Sequence, residues 1–223
     1  MCKCTGLALK NVKRISCGEN YGQLQVLAFV DTDNWTNSSN TALTKANAAK
    51  RSTWVAFLEA NESTSTPEMV ITPMLYNPEN DTGEPITWGG GNATPNGKSI
   101  VIGESETSFA AELRFAHQEQ ADAMKELNCL AEAGRLGMYL FDNKNNVIGK
   151  GVGTDLNPIP VASVYVGPKK FGGEEEPDYH PLSIKASAGW DEGLTYVTLN
   201  KITGSETTDV YWNGADLITV SLT

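Results

Sequence analysis

A chain of 223 residues that is 40% apolar, with 17 basic against 27 acidic side chains and a formal charge of −10, is long enough for one large β domain or two small ones. Its apolar residues are scattered, no run approaches the roughly 18 to 20 needed to cross a bilayer, and Met1-Cys2-Lys3-Cys4-Thr5-Gly6 lacks the apolar core of a signal peptide, so a soluble protein made in cytoplasm is expected. The acidic balance, with a pI near 4.7, argues against a protein that grips a phosphate backbone through clustered Lys and Arg.

After a Cys-containing lead over residues 1–23, Leu24 to Val30 reads as the first strand, and the Asn-, Ser- and Thr-rich stretch Asp31 to Asn40 as a loop. The Ala and Lys content of Thr41 to Lys50 suits a short helix, and Trp54 to Leu58 returns to strand-like bulk. Glu68 to Tyr76 reads as a strand that Pro67 and Pro73 place at an edge or interrupt. From Asn77 to Lys98 the chain carries Pro78, Pro85, Gly89-Gly90-Gly91 and Pro95, with only Ile86 and Trp88 as large apolar side chains. That composition predicts a long loop extension, and loops of this length in a compact domain tend to be functional or to order against a partner. Ser99 to Ile102 is then expected to re-enter the sheet.

The most informative segment runs from Thr107 to Gly151. Phe109, Ala111, Leu113 and Phe115 alternate as in a half-buried strand, and the period then changes. Between Gln118 and Ala133, Ala121, Met124, Leu127, Leu130 and Ala131 recur at spacings of three and four, with Glu119, Asp122, Lys125, Glu126 and Glu132 opposite, which predicts an amphipathic helix stopped by Gly134. Met138 to Phe141 and Val147-Ile148, separated by Asp142-Asn143-Lys144-Asn145-Asn146, have the grammar of a hairpin. The unit is β-α-β-β. Beyond it, Asn157-Pro158-Ile159-Pro160 breaks the pattern and Val161 to Val166 forms a strand. Gly167 to Pro181 is a second polar loop, and Leu182 to Trp190, Gly193 to Leu199 and Val210 to Leu222 give the closing strands. The fold class is mainly β, a β-sandwich or barrel with one flanking α-helix and long loop extensions, in a single domain over residues 1–223.

Catalytic chemistry is not apparent, and no enzyme is expected. A nucleophile needs a base and an orienting group. The chain has two histidines; His117 opens the helix, and His180 sits between Tyr179 and Pro181 in the expected loop. No cofactor and no metal are expected: Cys2 and Cys4 make a C-x-C pair rather than a zinc-type C-x2-4-C pair, and neither histidine is near them. Cys2, Cys4 and Cys17 read as free thiols, although a metal or a disulfide there is not settled by spacing, and Cys129 reads as a small apolar contact on the helix. Glu174-Glu175-Glu176 reads as a solvated charge run, and Gly89-Gly90-Gly91 is not followed by the Lys-Ser or Lys-Thr of a phosphate loop. The N-x-S/T triplets starting at Asn34, Asn37, Asn61, Asn80 and Asn92 are composition rather than glycosylation sites without a secretory route. Of the five tryptophans, Trp54, Trp190 and Trp212 fall in expected strands, whereas Trp35 and Trp88 fall in loops and are interface candidates, together with Pro85, Ile86, Gly89, Gly90 and Gly91.

The Cys-Lys-Cys-Thr-Gly-Leu start, the strand Leu24-Gln25-Val26-Leu27-Ala28-Phe29-Val30-Asp31, the strand-helix-strand-hairpin of Phe109 to Lys150 and the β-rich finish resemble tail-tube-like and neck-ring structural proteins of phages infecting Bacteroides-type bacteria, crAss-like phages included. The resemblance implies a subunit that assembles side by side into a ring of the tail or neck, sixfold or twelvefold, whose joined sheets line the channel for genome ejection. It implies a virion location, neighbouring tail or neck proteins as partners, transiting DNA without specific binding and no membrane partner. Ring closure would pair the strand edges of a β-rich chain. Two other readings compete: a secreted or surface carbohydrate-binding β-sandwich that stacks glycans on Trp35 and Trp88, and a hydrolase using an Asp/Glu pair hidden by the fold.

Overall fold

Two strands that are apolar on both faces form the centre of the molecule. The computed structural model describes residues 21–33, 43–63, 69–81, 83–91, 97–114, 116–173, 177–199, 208–213 and 216–221. Trp35, Cys2, Cys4, Cys17 and Glu174 to Glu176 lie outside them. In chain order the elements are β1 (Leu24–Asp31), α1 (Lys45–Ala48), α2 (Arg51–Ser63), β2 (Met69–Ile71), β3 (Leu75–Asp81), β4 (Pro85–Gly89), β5 (Ser99–Glu104) and β6 (Thr107–Arg114). There follow α3 (Gln118–Glu132), β7 (Leu136–Asp142), β8 (Asn146–Val152), β9 (Asp155–Asn157), β10 (Ile159–Val166), β11 (Tyr179–Ala186), β12 (Leu194–Thr198), β13 (Thr208–Asn213) and β14 (Asp216–Ser221).

The protein is mainly β, and ten strands form one antiparallel sheet. Its main path runs β12-β8-β7-β10-β11-β6-β3, with β1 and then β2 on the far side of β7 and β9 against β8. β1 pairs with β7 from Leu24 opposite Asp142 to Asp31 opposite Leu136. The other edge of β7 is shared: Gly137 and Met138 face β10, and Leu140 and Phe141 face β8. Because β8 and β10 leave that edge at different heights, the sheet divides there, and β10-β11-β6-β3 passes over one face of β1-β7-β8. A sandwich results. Leu27, Phe29, Met138 and Leu140 from the centre meet Phe109, Leu113, Val164 and Ile184 from the other layer in one buried cluster. The residues between them in sequence, Val26, Ala28, Val30, Tyr139 and Phe141, point the opposite way into a second cluster. This strict alternation, with both faces covered, explains why these strands read as continuous apolar runs.

The amphipathic helix is α3, its buried side being Ala121, Met124, Leu127 and Ala131. It lies on β10 and β7, and Asn128 Oδ1 accepts the Val164 amide at 3.1 Å. At its start the His117 amide donates to Gln120 Oε1 at 3.2 Å, so His117 is a helix-end residue as its position suggested. Cys129 corrects its reading as an apolar contact, because it is exposed. The hairpin of β7 and β8 also stands where expected, with Asn145 in the left-handed region at φ 61°.

The sequence reading of Trp54 to Leu58 as strand is wrong. Trp54 lies in α2 and is 1% exposed, its ring edge-on to Tyr139 and Phe141 at 5.3 and 5.1 Å, and its indole N–H donates to Ala48 O at 2.9 Å. Burying that ring against the second face of the centre decides the helix over the weak strand preference of Thr53, Trp54 and Val55. α3 is the expected flanking helix of the sandwich, and α1–α2 add a cover on the opposite face. Trp190 is also outside any strand, in the turn between β11 and β12, with its ring edge-on to Phe109 at 5.1 Å.

The described part of residues 77–98 is largely strand rather than a structureless loop. Through Asp81 the chain is β3, paired with β6, and Asn77 at φ 48° and Pro78 fall in a register shift between Tyr76 and Glu79, so the missing Pro78 N–H removes no ladder bond. β4 then pairs with β5 as a separate two-stranded sheet, so Ser99 to Ile102 joins this hairpin and not the main sheet. Upstream, β2 and β3 are split at Pro73 as its sequence position allowed, with Thr72 closing the pairing by bonds to Leu27 through both its amide and its hydroxyl. β13 and β14 form a third sheet of two strands.

Candidate functional site

The β4–β5 hairpin is built unlike the rest of the molecule. Ile86, Trp88, Ile100, Val101 and Ile102 are between 48% and 64% exposed. Trp88 lies directly opposite Ile100, Thr87 opposite Val101, and Ile86 opposite Gly103, with Ile102 the extra residue of a bulge. Gly103 lies beside the Ile86 side chain, where an added Cβ would make only an ordinary contact at 3.9 Å. A two-stranded ribbon with apolar side chains facing water is marginal by itself. A contiguous apolar patch of this kind marks a contact surface.

Base and tip are each specified. At the base, the Glu84 amide donates to Ser105 Oγ at 2.7 Å and the Ser105 amide to Glu84 O at 3.0 Å. A Cβ on Gly83 would come within 2.4 Å of the Ser105 carbonyl oxygen, so only glycine passes here. Toward the tip, Gly89, Gly90 and Gly91 have φ of 93°, 102° and 54°, which L side chains rarely adopt. The triplet is turn chemistry. Of the expected interface residues, the structure brings Pro85, Ile86, Trp88, Gly89, Gly90 and Gly91 together in this arm. Ile100, Val101 and Ile102 belong with them, although Ser99 to Ile102 was expected to re-enter the sheet; their signal is three consecutive apolar residues with no polar alternation.

Below the arm, the open end of the sandwich holds an apolar cleft of about 340 Å³. Leu24, Phe109, Leu140, Ile148, Trp190 and Leu194 form its walls, and Glu79, Asn80 and Asp142 reach its rim. Among the described residues, its charged lining is Glu79 and Asp142, both acidic. Glu79 is exposed, whereas Asp142 is 4% exposed and engaged. Asp142 accepts from the amides of Gly22, Lys144 and Asn146 at 2.7 to 2.8 Å and from Asn146 Nδ2 at 2.8 Å. Burial works against its charge, but the bonds from Asn146, Gly22 and Lys144 together outweigh it and hold the carboxyl below its ordinary range. A second hollow of about 420 Å³ at the arm base is lined by Asp81, Glu84 and Glu106, with Lys185 Nζ 3.5 Å from the Glu106 carboxylate.

His180 is corrected from loop to strand β11 and is 1% exposed. Gly167 donates its amide to Pro181 O at 2.8 Å, and in a regular antiparallel pair the return bond would come from residue 181. Proline has no N–H to give. The Gly167 carbonyl is taken instead by His180 Nδ1 at 3.1 Å, which places the ring proton on Nδ1, because a carbonyl can only accept. Nε2 is buried with no hydrogen-bond partner. A Cβ on Gly167 would sit 2.5 Å from the Pro181 ring, so glycine, proline and histidine form one structural set. Among the described residues no group of three or more His, Cys, Asp or Glu is placed to hold a metal ion, and no helix is long and apolar enough to cross a membrane.

No protein-family model and no curated protein matches the sequence. Two solved assemblies contain chains of partial likeness. One is the tail of an empty gene transfer agent particle refined with helical C6 symmetry, with a TM-score of 0.32 and 10% identity over 60% of this chain and 89% of that one. The other is the virion of a native gene transfer agent particle, with a TM-score of 0.30 and 9% identity over 56% of this chain and 85% of that one. Likeness this slight defines neither fold nor role.

Proposed function

We propose that this protein is a virion structural subunit of a phage tail or neck, one that closes with its copies into a ring around the path of the ejected genome. The observation that carries the reading is the β4–β5 arm: an ordered hairpin that presents Ile86, Trp88, Ile100, Val101 and Ile102 to solvent needs a surface to cover it. Strand edges add to this. Among the described residues β2, β3 and β12 each pair on one side only, and an open edge invites a neighbour. The order of elements over Leu24 to Asp31 and Phe109 to Lys150 resembles ring-forming proteins of phages of Bacteroides-type bacteria, and the chain is assigned here to that kind of particle. A charge of −10 per subunit, repeated around a ring, would keep DNA from adhering to it. The role is architectural, without catalysis or cofactor.

Mass photometry and electron microscopy of the purified full chain at rising concentration, alone and with candidate tail or neck partners, test the reading. Annular particles of six or twelve copies are expected. Monomers throughout would overturn it. Exposure of Trp88 on the ribbon also suits the carbohydrate-binding reading. Its flanks are isoleucines and not the polar groups that orient a sugar, which ranks it second; a glycan array in which Trp35→Ala and Trp88→Ala abolish binding would reverse that order.

A further inference from the structure

We infer that the arm of one copy seats in the apolar cleft of the next, with Trp88 as the anchor between Trp190, Phe109 and Leu194 and with Lys98 against Glu79. The inference rests on the assembly reading above and names the partner surface. Two apolar features of opposite shape stand open on the same chain, a protruding ribbon and a cleft of about 340 Å³, a size within the usual range for binding pockets. Their charges match. From Pro85 to Gly103 the only charged residue is Lys98, in a chain of net charge −10, so the distal arm carries no carboxylate for an acidic neighbour to repel. Among the described residues the cleft lining holds no Lys or Arg and carries Glu79 at its exposed rim, while the Asp142 charge is already held by three amides and the Asn146 side chain. Trp190 and Phe109 already meet edge to face at 5.1 Å, and a third aromatic ring adds to such a pair in the geometry aromatics prefer.

A contact between two different surfaces of identical chains is heterologous, and it propagates into a closed ring or an open helix, never into an isolated symmetric dimer. This gives a test that separates the contact from assembly in general. Trp88→Asp removes the anchor, and Asn80→Trp fills the cleft from its exposed rim; neither position is in the core, so both variants should fold, with circular dichroism and Tm as controls. Each variant alone should need a concentration roughly thirtyfold higher to assemble, the usual size for losing an aromatic anchor. Mixed in equal amounts, they should form one-to-one dimers, because the intact arm of the Asn80→Trp copy enters the open cleft of the Trp88→Asp copy. Carbodiimide coupling in rings of mixed ¹⁵N-labelled and unlabelled wild-type chains should join Lys98 to Glu79 across isotopes. Rings that form normally from either variant, a mixture that gives no dimers, or Lys98–Glu79 coupling within one isotope only would overturn this contact and leave the assembly reading standing. Wild-type protein that stays monomeric at every concentration would overturn both.

Discussion

The β1–β7 pair and the β4–β5 arm are made of the same kinds of residue and meet opposite fates. Leu27, Phe29, Met138 and Tyr139 are at most 1% exposed, whereas Ile86, Trp88, Ile100 and Ile102 are about half exposed. Side-chain type does not separate them; the number of covered faces does. β1–β7 has the second layer with α3 on one side and α1–α2 on the other, while the arm has bare ribbon on both. The lesson is that an apolar run states a demand for cover, and the cover can come from the same chain or from another.

The same substitution at one tryptophan in each region gives the largest contrast. Trp54→Ala opens a cavity against Tyr139 and Phe141 and leaves the Ala48 carbonyl without its indole donor, so a loss of about 3–5 kcal/mol is expected in urea unfolding. Trp88→Ala in the monomer should change stability by less than about 0.5 kcal/mol, as surface substitutions do. Equal losses at the two sites would mean that the arm packs on its own body in solution.

The two turns of these regions invite the second test. The β7–β8 turn is organised by one carboxylate, and the arm tip by glycines. Asp142→Ala strands the amides of Gly22, Lys144 and Asn146 and should cost about 2–3 kcal/mol. Because the folded-state carboxyl is held below the ordinary value for an aspartate, its contribution is fully present above that ordinary value and disappears as pH falls through the lower folded value. The stability gap between wild type and Asp142→Asn, followed by denaturant midpoint from pH 7 downward, should hold constant to about pH 4 and narrow below it. A gap that widens on acidification would reverse the assignment. No such acid dependence is expected at the arm tip, which has no carboxylate between Pro85 and Gly103.

Regions whose burial follows from local period were legible in the sequence. α3, the β7–β8 hairpin and β1 stand within a few residues of where Ala121, Met124 and Leu127, the Asp142–Asn146 turn and the Leu24–Val30 run place them. α2 was not legible, since Trp54 and Phe57 show no preference until Tyr139 and Phe141 supply a surface from more than eighty residues away. The arm was half legible. Pro85 and the glycines marked it as exceptional, but pairing of Trp88 with Ile100 is set by register, which neither strand encodes separately. The cleft was invisible, because its walls come from five strands and a turn.

His180 offers a smaller test of how the body, unlike the arm, satisfies each buried group. Replacing it by Leu leaves the Gly167 carbonyl without a donor beside Pro181 and should cost about 1–2 kcal/mol. His180→Gln can still donate and should recover part of that loss. If Leu is tolerated as well as Gln, the carbonyl has found another partner and the ring is only filler.

The smallest effect on the monomer is expected from the largest change in sequence. The hydrogen bonds between Glu84 and Ser105 close the arm at its base, so residues 85–104 can be replaced by a short turn without touching β3 or β6. A cut from Pro78 to Pro95 would instead remove the part of β3 that pairs with Ala110, Phe109 and Ser108, and would confuse loss of the arm with damage to the sheet. The shortened chain should unfold within about 0.5 kcal/mol of wild type, because the removed ribbon buries little of its own surface. Ring formation should fail at concentrations where wild type assembles. Unfolding that becomes easier by several kcal/mol would place the arm in the core economy of the monomer, and unchanged particle size would place ring contacts on the strand edges alone.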